Sequence, residues 1–255
     1  MDSQQLRDCL DAGFHRLREV AGGAAPGAAV PSCPGWTMAD LLRHVGEVYL
    51  YKVEQMRLGR HPAQWPPEGL ADEPPLELLD RAYAALAGEF AARRPEEHTF
   101  TWYGPDQSVG FWIRDMAHET VMHRVDAELA AGLPVAAIPA DLAADGIDEL
   151  LVAFVQYDTT AFPDRFAELL APAGDAAVGV ITPQRSWLLR LTAGGVRVGE
   201  PDPGGPGATA EGPAPDMLLW LWGRGAEGIT TAGDAEAVAL LRKVVANVLG
   251  QRQQD

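Results

Sequence analysis

Four stretches in the first half of the chain carry apolar residues at helical spacing, and this pattern constrains the fold more than any other feature. In the first stretch, the apolar side chains follow one another at steps of three and four residues: Leu6, Leu10, Phe14, Leu17 and Val20. Comparable stripes lie over residues 37–59, 76–93 and 108–131. Such steps place side chains on one face of an α-helix. Four helices that each need to bury an apolar face predict a helix bundle.

Two of these helices have clear boundary signals. Thr37 and Asp40 have the spacing of a capping box, in which each side chain bonds the backbone of the other residue at a helix start. Gly132 and Pro134 directly follow the fourth stretch, and this order is typical of a helix end.

The pattern changes after Pro139. Residues 141–155 predict one more helix, and the short apolar runs at 178–181, 186–192 and 196–198 predict strands, the last two joined by a hairpin turn. The remaining segments are a predicted loop at 202–215, helices at 215–223 and 234–249, and a short strand near Ile229. The sequence therefore predicts an α+β protein, with a helix bundle over residues 1–140 and a small α+β domain over residues 141–255.

Charge and composition exclude several kinds of partner. The formal net charge is −16, spread over both parts of the chain. This argues against nucleic acid and anionic membranes, because phosphate binding needs clustered Lys and Arg. No apolar run reaches the roughly 18 residues of a membrane span, and the first ten residues do not resemble a signal peptide. The two cysteines, Cys9 and Cys33, cannot form a disulfide framework, so we expect a cytoplasmic protein.

Three ionisable residues border the apolar stripes of the second and fourth helices. Glu119 and His123 are four residues apart, so they lie on one face of the fourth helix. His44 lies between Leu41 and Val48 on the second helix. A carboxylate and two imidazoles at the inner edge of a bundle are costly unless they are paired or bind a metal, and facing helices are the usual place for metal sites in bundles.

The residues alone leave other interpretations open. His44 could be a hydrogen-bonded core histidine, and Glu119 and His123 could be an ordinary pair on a solvated face. His118 and His123 nearly form the His-Glu-x-x-His motif of zinc proteases, but they are one residue too far apart. On a regular helix they point about 140° away from each other. His118 is therefore predicted either to contact a ligand residue without binding the metal itself or to be exposed.

Several motifs resemble one family. Residues 31–37, Pro-Ser-Cys-Pro-Gly-Trp-Thr, with residues 40–44, Asp-Leu-Leu-Arg-His, resemble the first signature of the mycothiol-dependent maleylpyruvate isomerase family. Residues 116–126 resemble its second signature, and residues 145–149 and 218–224 resemble its C-terminal part. The resemblance covers nearly the whole chain.

The resemblance implies a DinB-like four-helix bundle that binds a divalent metal, usually zinc, followed by a domain similar to sterol-carrier proteins. It assigns His44, Glu119 and His123 as metal ligands. It also implies mycothiol as a thiol cosubstrate and a small electrophilic acid as substrate. Arg224 is the candidate catalytic residue, because a guanidinium can hold a carboxylate by two hydrogen bonds, although it could instead be a surface arginine at a helix end.

Three more residues accompany the candidate site. Asp126 could orient an imidazole of the site, or it could form an ion pair with Arg124 or another arginine. Cys33 lies between two prolines and is expected to be structural. Trp36 precedes the Thr37 cap and is expected to be a hydrophobic staple or the wall of a pocket.

The favoured function is cis-trans isomerisation of maleylpyruvate-like acids by addition and elimination of mycothiol. The same residues could make a mycothiol S-transferase, which would stop at the thioether adduct. A non-catalytic binding module and a metal enzyme that uses no thiol are further alternatives.

Overall fold

The computed structural model describes residues 1–201, 204–225 and 227–252, and it divides into two compact units. The first unit ends at Ala137 and the second begins at Ile138. No helix among these residues combines the length and the apolar character that a membrane crossing requires.

The first unit contains the four predicted long helices. They are α1 (Ser3–Gly23), α2 (Met38–Leu58), α3 (Pro75–Ala92) and α4 (Val109–Ala130). Helix α2 packs against α3 and α4, and α1 packs mainly against α4. Side chains from all four helices, among them Leu17, Leu41, Leu79 and Trp112, are fully buried between them. The predicted four-helix architecture is therefore confirmed.

The predicted boundary signals act as expected. The Thr37 hydroxyl accepts a hydrogen bond from the Asp40 amide, and the Asp40 carboxylate accepts one from the Thr37 amide. At the end of α4, Gly132 adopts a positive φ of 67°. The amide of Leu133 then reaches the carbonyl of Glu128 at 2.9 Å, which closes the helix with a Schellman motif.

The second unit begins with a helical run and continues with a sheet. The run consists of α5 (Ala140–Asp148), a π-helical segment (Glu149–Gln156) and α6 (Tyr157–Ala161), and α7 (Ala167–Leu170) follows. The strands are β1 (Ala176–Ile181), β2 (Ser186–Thr192), β3 (Gly195–Gly199), β4 (Ala208–Glu211) and β5 (Thr230–Gly233). The remaining helices are α8 (Ala214–Leu221) and α9 (Ala235–Arg252).

Within the described residues, the five strands form one sheet in the order β3-β2-β1-β4-β5. Strands β1 and β4 are parallel, with Val178 opposite Ala208, and the other neighbours are antiparallel. Helix α9 packs on β1 and β4. The predicted α+β class is confirmed.

Two details of the second unit differ from the sequence-based expectation. The segment expected to be a loop at 202–215 contains strand β4, and residues 202–203 of that segment lie outside the described residues. Strand β4 is rich in alanine and directly follows Pro206 and Gly207, so its local strand signal is weak. It is a strand because its backbone pairs with β1, which is distant in the sequence.

The second difference concerns the helix expected at 141–155. It changes from α to π geometry at Glu149, a change that apolar periodicity does not distinguish. Its side chains then cover the backbone of the edge strand β3. The amide of Val196 donates to the Thr159 hydroxyl at 3.0 Å, and the amide of Val198 donates to the Gln156 side chain at 2.7 Å. This edge is thereby protected from pairing with another strand.

Candidate metal centre

Helix α2 places His44 two turns from its capped start. Leu41 and Val45, on either side of His44, are completely buried, so they fix the rotation of the helix. This rotation leaves the His44 side chain at the edge of the apolar face, with 29% of it exposed.

Helix α4 supplies Glu119 and His123 one turn apart. The hydroxyl of Thr120, between them in the sequence, donates to the carbonyl of Met116 and bonds the phenol of Tyr49 on α2. Tyr49 and Thr120 are both fully buried. This contact ties the two helices together beside the candidate ligands.

The structure brings the three predicted ligands together. The Glu119 carboxylate oxygen Oε1 lies 3.3 Å from Nε2 of His44 and 3.1 Å from Nε2 of His123. One ligand atom from each residue lies within 4.8 Å of the others. Sequence separation between His44 and Glu119 is large, so packing of α2 against α4 creates this cluster.

The donor set fits a divalent transition metal. Two imidazole nitrogens and one carboxylate oxygen are ligands that zinc prefers, and three protein ligands leave a coordination position open, as in catalytic zinc sites. The Glu119 side chain is 21% exposed and that of His44 29%, so the cluster is not completely enclosed. That these residues bind metal stays a prediction.

The cluster shifts the pKa values of its members strongly. Burial alone would raise the pKa of Glu119, but the charges and hydrogen bonds of His123 and His44 hold it well below its usual value. Burial alone would lower the pKa of His123, but Glu119 and Asp126 together raise it to about 9. Without metal, this arrangement is therefore an ionised carboxylate beside a protonated imidazole at neutral pH.

The free energy of unfolding of the metal-free protein is expected to fall as the pH rises from about 6.5 to beyond 9. In this range the folded state holds a proton on His123 that the unfolded state has released. The stabilisation that this proton supplies amounts to roughly 3 kcal/mol. It is complete below pH 6.5, the pKa of His123 in the unfolded chain, and is lost as the pH rises through about 9, its pKa in the folded protein. Urea denaturation across this range measures it. His123→Gln should flatten the profile and the exposed His15→Gln should not; an unchanged profile in His123→Gln would contradict the assignment.

Trp36 forms one wall of the cluster. Its ring centre lies 4.8 Å from that of His44 and 6.4 Å from that of His123, and it is stacked at 23° to the latter. The sequence predicts a hydrophobic staple or a pocket wall for Trp36, and the structure shows that its ring contacts the candidate site. The bulky apolar ring shields one side of the imidazoles from water.

Asp126 contacts the site directly. Its carboxylate Oδ2 lies 2.9 Å from Nδ1 of His123, so the interpretation as an orienting partner of an imidazole is the one that the structure supports. Arg124, the alternative partner, bonds Glu128 at 3.0 Å. Asp126 also accepts hydrogen bonds from Ser32 and from Cys33. The sequence analysis did not identify Ser32, because a serine in a loop gives no signal of a contact with a distant helix.

The remaining histidines and cysteines do not join the cluster. His118 is 3% exposed, so the expectation that it could be exposed is wrong. His15, His61 and His98 are exposed. Cys9 and Cys33 are not joined in a disulfide.

Arg224 lies in the second unit, just after α8. Gly223 has a positive φ of 75°, and the Arg224 amide bonds the Leu219 carbonyl at 2.8 Å in a second Schellman motif. The guanidinium donates to the Trp222 carbonyl at 2.8 Å and lies 5.3 Å from the centre of the Trp222 ring. Its part in catalysis stays a prediction.

Two family models match the chain in succession. The mycothiol maleylpyruvate isomerase N-terminal domain matches residues 7–128, and the C-terminal domain of the same family matches residues 141–240. The chain belongs to the mycothiol-dependent maleylpyruvate isomerase family. The resemblance that the sequence motifs indicated is confirmed, and the family identifies the protein as an enzyme of the isomerase kind.

Solved structures share the fold. One is the crystal structure of the mycothiol-dependent maleylpyruvate isomerase, and another is a histidine-to-alanine mutant of that enzyme. Each is 13% identical to the chain with a TM-score of 0.60, and the match covers 92% of this chain and 95% of the other. At this identity the match establishes the fold. No curated protein matches the chain.

Proposed function

We propose that this protein is a metal-dependent isomerase that uses mycothiol to convert maleylpyruvate-like acids from the cis to the trans form. The cluster of His44, Glu119 and His123 in a chain of this family carries the proposal, because it is the set of donors that such chemistry needs. We assign these three residues as ligands of a divalent metal, most simply zinc. Two cysteines that form no disulfide, together with a thiol cosubstrate, suit the reducing cytoplasm.

The chemistry requires a thiolate near neutral pH. A divalent cation held by His44, Glu119 and His123 would supply one, because it would lower the pKa of a thiol bound to it. The mycothiol thiolate then adds to one carbon of the conjugated double bond, and the electron pair moves toward the substrate carbonyl. The new single bond rotates, the electron pair returns, and the thiolate leaves. The trans acid and the thiolate are the products of this step, and no net oxidation or reduction takes place.

The residues around the ligands hold this arrangement in place. Asp126 accepts a hydrogen bond from Nδ1 of His123, which leaves Nε2 directed toward Glu119. Trp36 covers the two imidazoles on one side, so water has less access to the imidazoles from that side. An ordered, partly dry site strengthens electrostatic interactions with a developing negative charge.

Arg224 is proposed to hold a carboxylate of the substrate. A guanidinium offers two parallel donors in a geometry that matches a carboxylate. The Schellman turn at Gly223 fixes the backbone of Arg224. The surrounding protein is acidic, so an anionic substrate needs local positive charges of this kind.

The test is an assay of zinc-loaded protein with mycothiol and maleylpyruvate that follows both the trans acid and the thioether adduct. We expect the trans acid to accumulate only when mycothiol is present. Accumulation of adduct instead would show an S-transferase, and equal turnover without mycothiol would contradict the use of a thiol. Retention of the acid with neither product would favour a binding module and overturn the proposal.

A further inference from the structure

The loop between α1 and α2 is braced by its own backbone. The amide of Val30 donates to the Trp36 carbonyl at 2.9 Å, and the amide of Trp36 donates to the Cys33 carbonyl at 3.0 Å. A third bond, from the amide of Cys33 to the Val30 carbonyl at 3.1 Å, closes the loop. The side chains of residues 32, 33 and 36 are therefore presented from one rigid element.

Two of these side chains meet Asp126 on α4. The Ser32 hydroxyl donates to Oδ1 of Asp126, and the Cys33 thiol donates to Oδ2 from 3.7 Å. The same Oδ2 accepts from Nδ1 of His123. Asp126 is completely buried, Cys33 is 1% exposed and His123 is 5% exposed, so these contacts lie inside the protein.

We propose that Ser32 and Cys33 are positioning residues of the metal centre, which act on His123 through Asp126. The inference rests on the proposed function, because it concerns how a bound metal is held. It goes beyond that function by assigning a role to the loop between α1 and α2.

The physical reason is the freedom of the carboxylate. An aspartate carboxylate can rotate about its last bond, and only one orientation of its plane directs one oxygen at Nδ1 of His123 and the other at Ser32. The hydrogen bond from Ser32 to Oδ1 selects that orientation, and the Cys33 thiol supports Oδ2. Because hydroxyl and thiol donors are neutral, they satisfy the oxygens and leave the negative charge of the carboxylate in place. His123 is then held with its proton on Nδ1 and its Nε2 lone pair toward the other ligands.

The first experiment measures zinc affinity of the full chain by competition with a chromophoric chelator. Loss of a hydrogen-bonding partner behind a metal ligand typically weakens binding by about 10- to 100-fold. We expect Asp126→Asn to fall in that range and Ser32→Ala to weaken binding about 10-fold. Ser32→Thr and Cys33→Ser keep the donors, so both should remain close to the unsubstituted protein.

Ser108→Ala is the matched control. Ser108 caps the start of α4, the helix that carries Glu119 and His123, and its hydroxyl accepts from the Phe111 amide at 3.1 Å. Its loss should lower the unfolding temperature and leave zinc affinity unchanged. If Ser32→Ala also lowers only the unfolding temperature, the loop has a structural role alone and the proposal is overturned.

A second readout needs no substitution. In the zinc-loaded protein, long-range nitrogen–proton NMR of the histidine rings should show the His123 proton on Nδ1. A proton on Nε2 would overturn the proposal even if Ser32→Ala does not fold. If the unsubstituted protein binds no zinc, both the proposed function and this inference fail; if it binds zinc and Ser32→Ala binds it equally well, only this inference fails.

Discussion

Replacement of both His44 and His123 by alanine is expected to remove the bound metal and the isomerase activity together. The unsubstituted protein, purified without added metal, should contain about one divalent ion per chain, and the double variant almost none. Glu119 alone is a weak site, because a single carboxylate cannot replace two imidazoles. A bound metal contributes several kcal/mol to the transition state, so turnover should fall by about 10³-fold or more. Elemental analysis and the isomerase assay measure the two effects.

The control is a second pair of histidines. His15 and His98 are exposed and lie outside the cluster, so His15→Ala with His98→Ala should change neither metal content nor turnover. Helix content of the His44/His123 variant should persist, because alanine favours helices. Metal content that stays the same in this variant would disprove the assignment of the ligands.

Replacement of Glu128 by alanine is expected to cost about 3–5 kcal/mol of unfolding free energy. The Glu128 side chain is completely buried near the end of α4, where it bonds Arg16 of α1 at 2.9 Å and Arg124 at 3.0 Å. It also accepts from the Ala136 amide at 3.1 Å. Removal of the carboxylate leaves the Arg124 guanidinium, 5% exposed, without the negative charge that now compensates it.

Urea denaturation of Glu128→Ala measures this loss, with Glu19→Ala as the control. Glu19 is the other carboxylate that bonds Arg16, also at 2.9 Å, but 71% of its side chain is exposed. Exposed ion pairs contribute about 0–1 kcal/mol, so Glu19→Ala should have a small effect. Equal losses in the two variants would show that burial does not decide the strength of this network.

The network and the candidate metal centre have the same physical basis. In both, α4 carries buried ionisable residues that pair with one another and with a residue of another helix, and almost every residue of its middle and second half is buried. Helix α4 therefore bears charged groups on faces that a simple amphipathic helix would expose. The cost of burying them is offset by pairing, in one case with arginines and in the other with histidines and, as proposed, a metal.

The acidic charge of the chain also bears on how an anionic substrate can bind. A net charge of −16 opposes the approach of an anionic acid, so binding must depend on a few local positive charges. We expect the proposed metal and Arg224 to supply them.

Local signals in the sequence were sufficient for the helices and for part of the candidate site. The spacing of apolar residues predicts α1 to α4, and the caps at Thr37 and Gly132 predict two of their boundaries. Glu119 and His123 lie four residues apart, so their position on one helix face follows from helical geometry alone. His44 borders the apolar stripe of the second helix, so it was a candidate ligand before the family motifs indicated a chemistry.

Contacts between distant segments could be identified only from the tertiary structure. Strand β4 exists because it pairs with β1, and among its four residues only Thr209 is of a type that favours strands. Ser32 reaches Asp126 across 94 residues of sequence, and His44 reaches Glu119 only because α2 packs against α4. The sequence by itself determined which segments are helical and which side chains share a helix face, because those properties depend on neighbours a few residues away. Only the tertiary structure decided which faces meet, because packing and hydrogen bonding between distant segments depend on the whole fold.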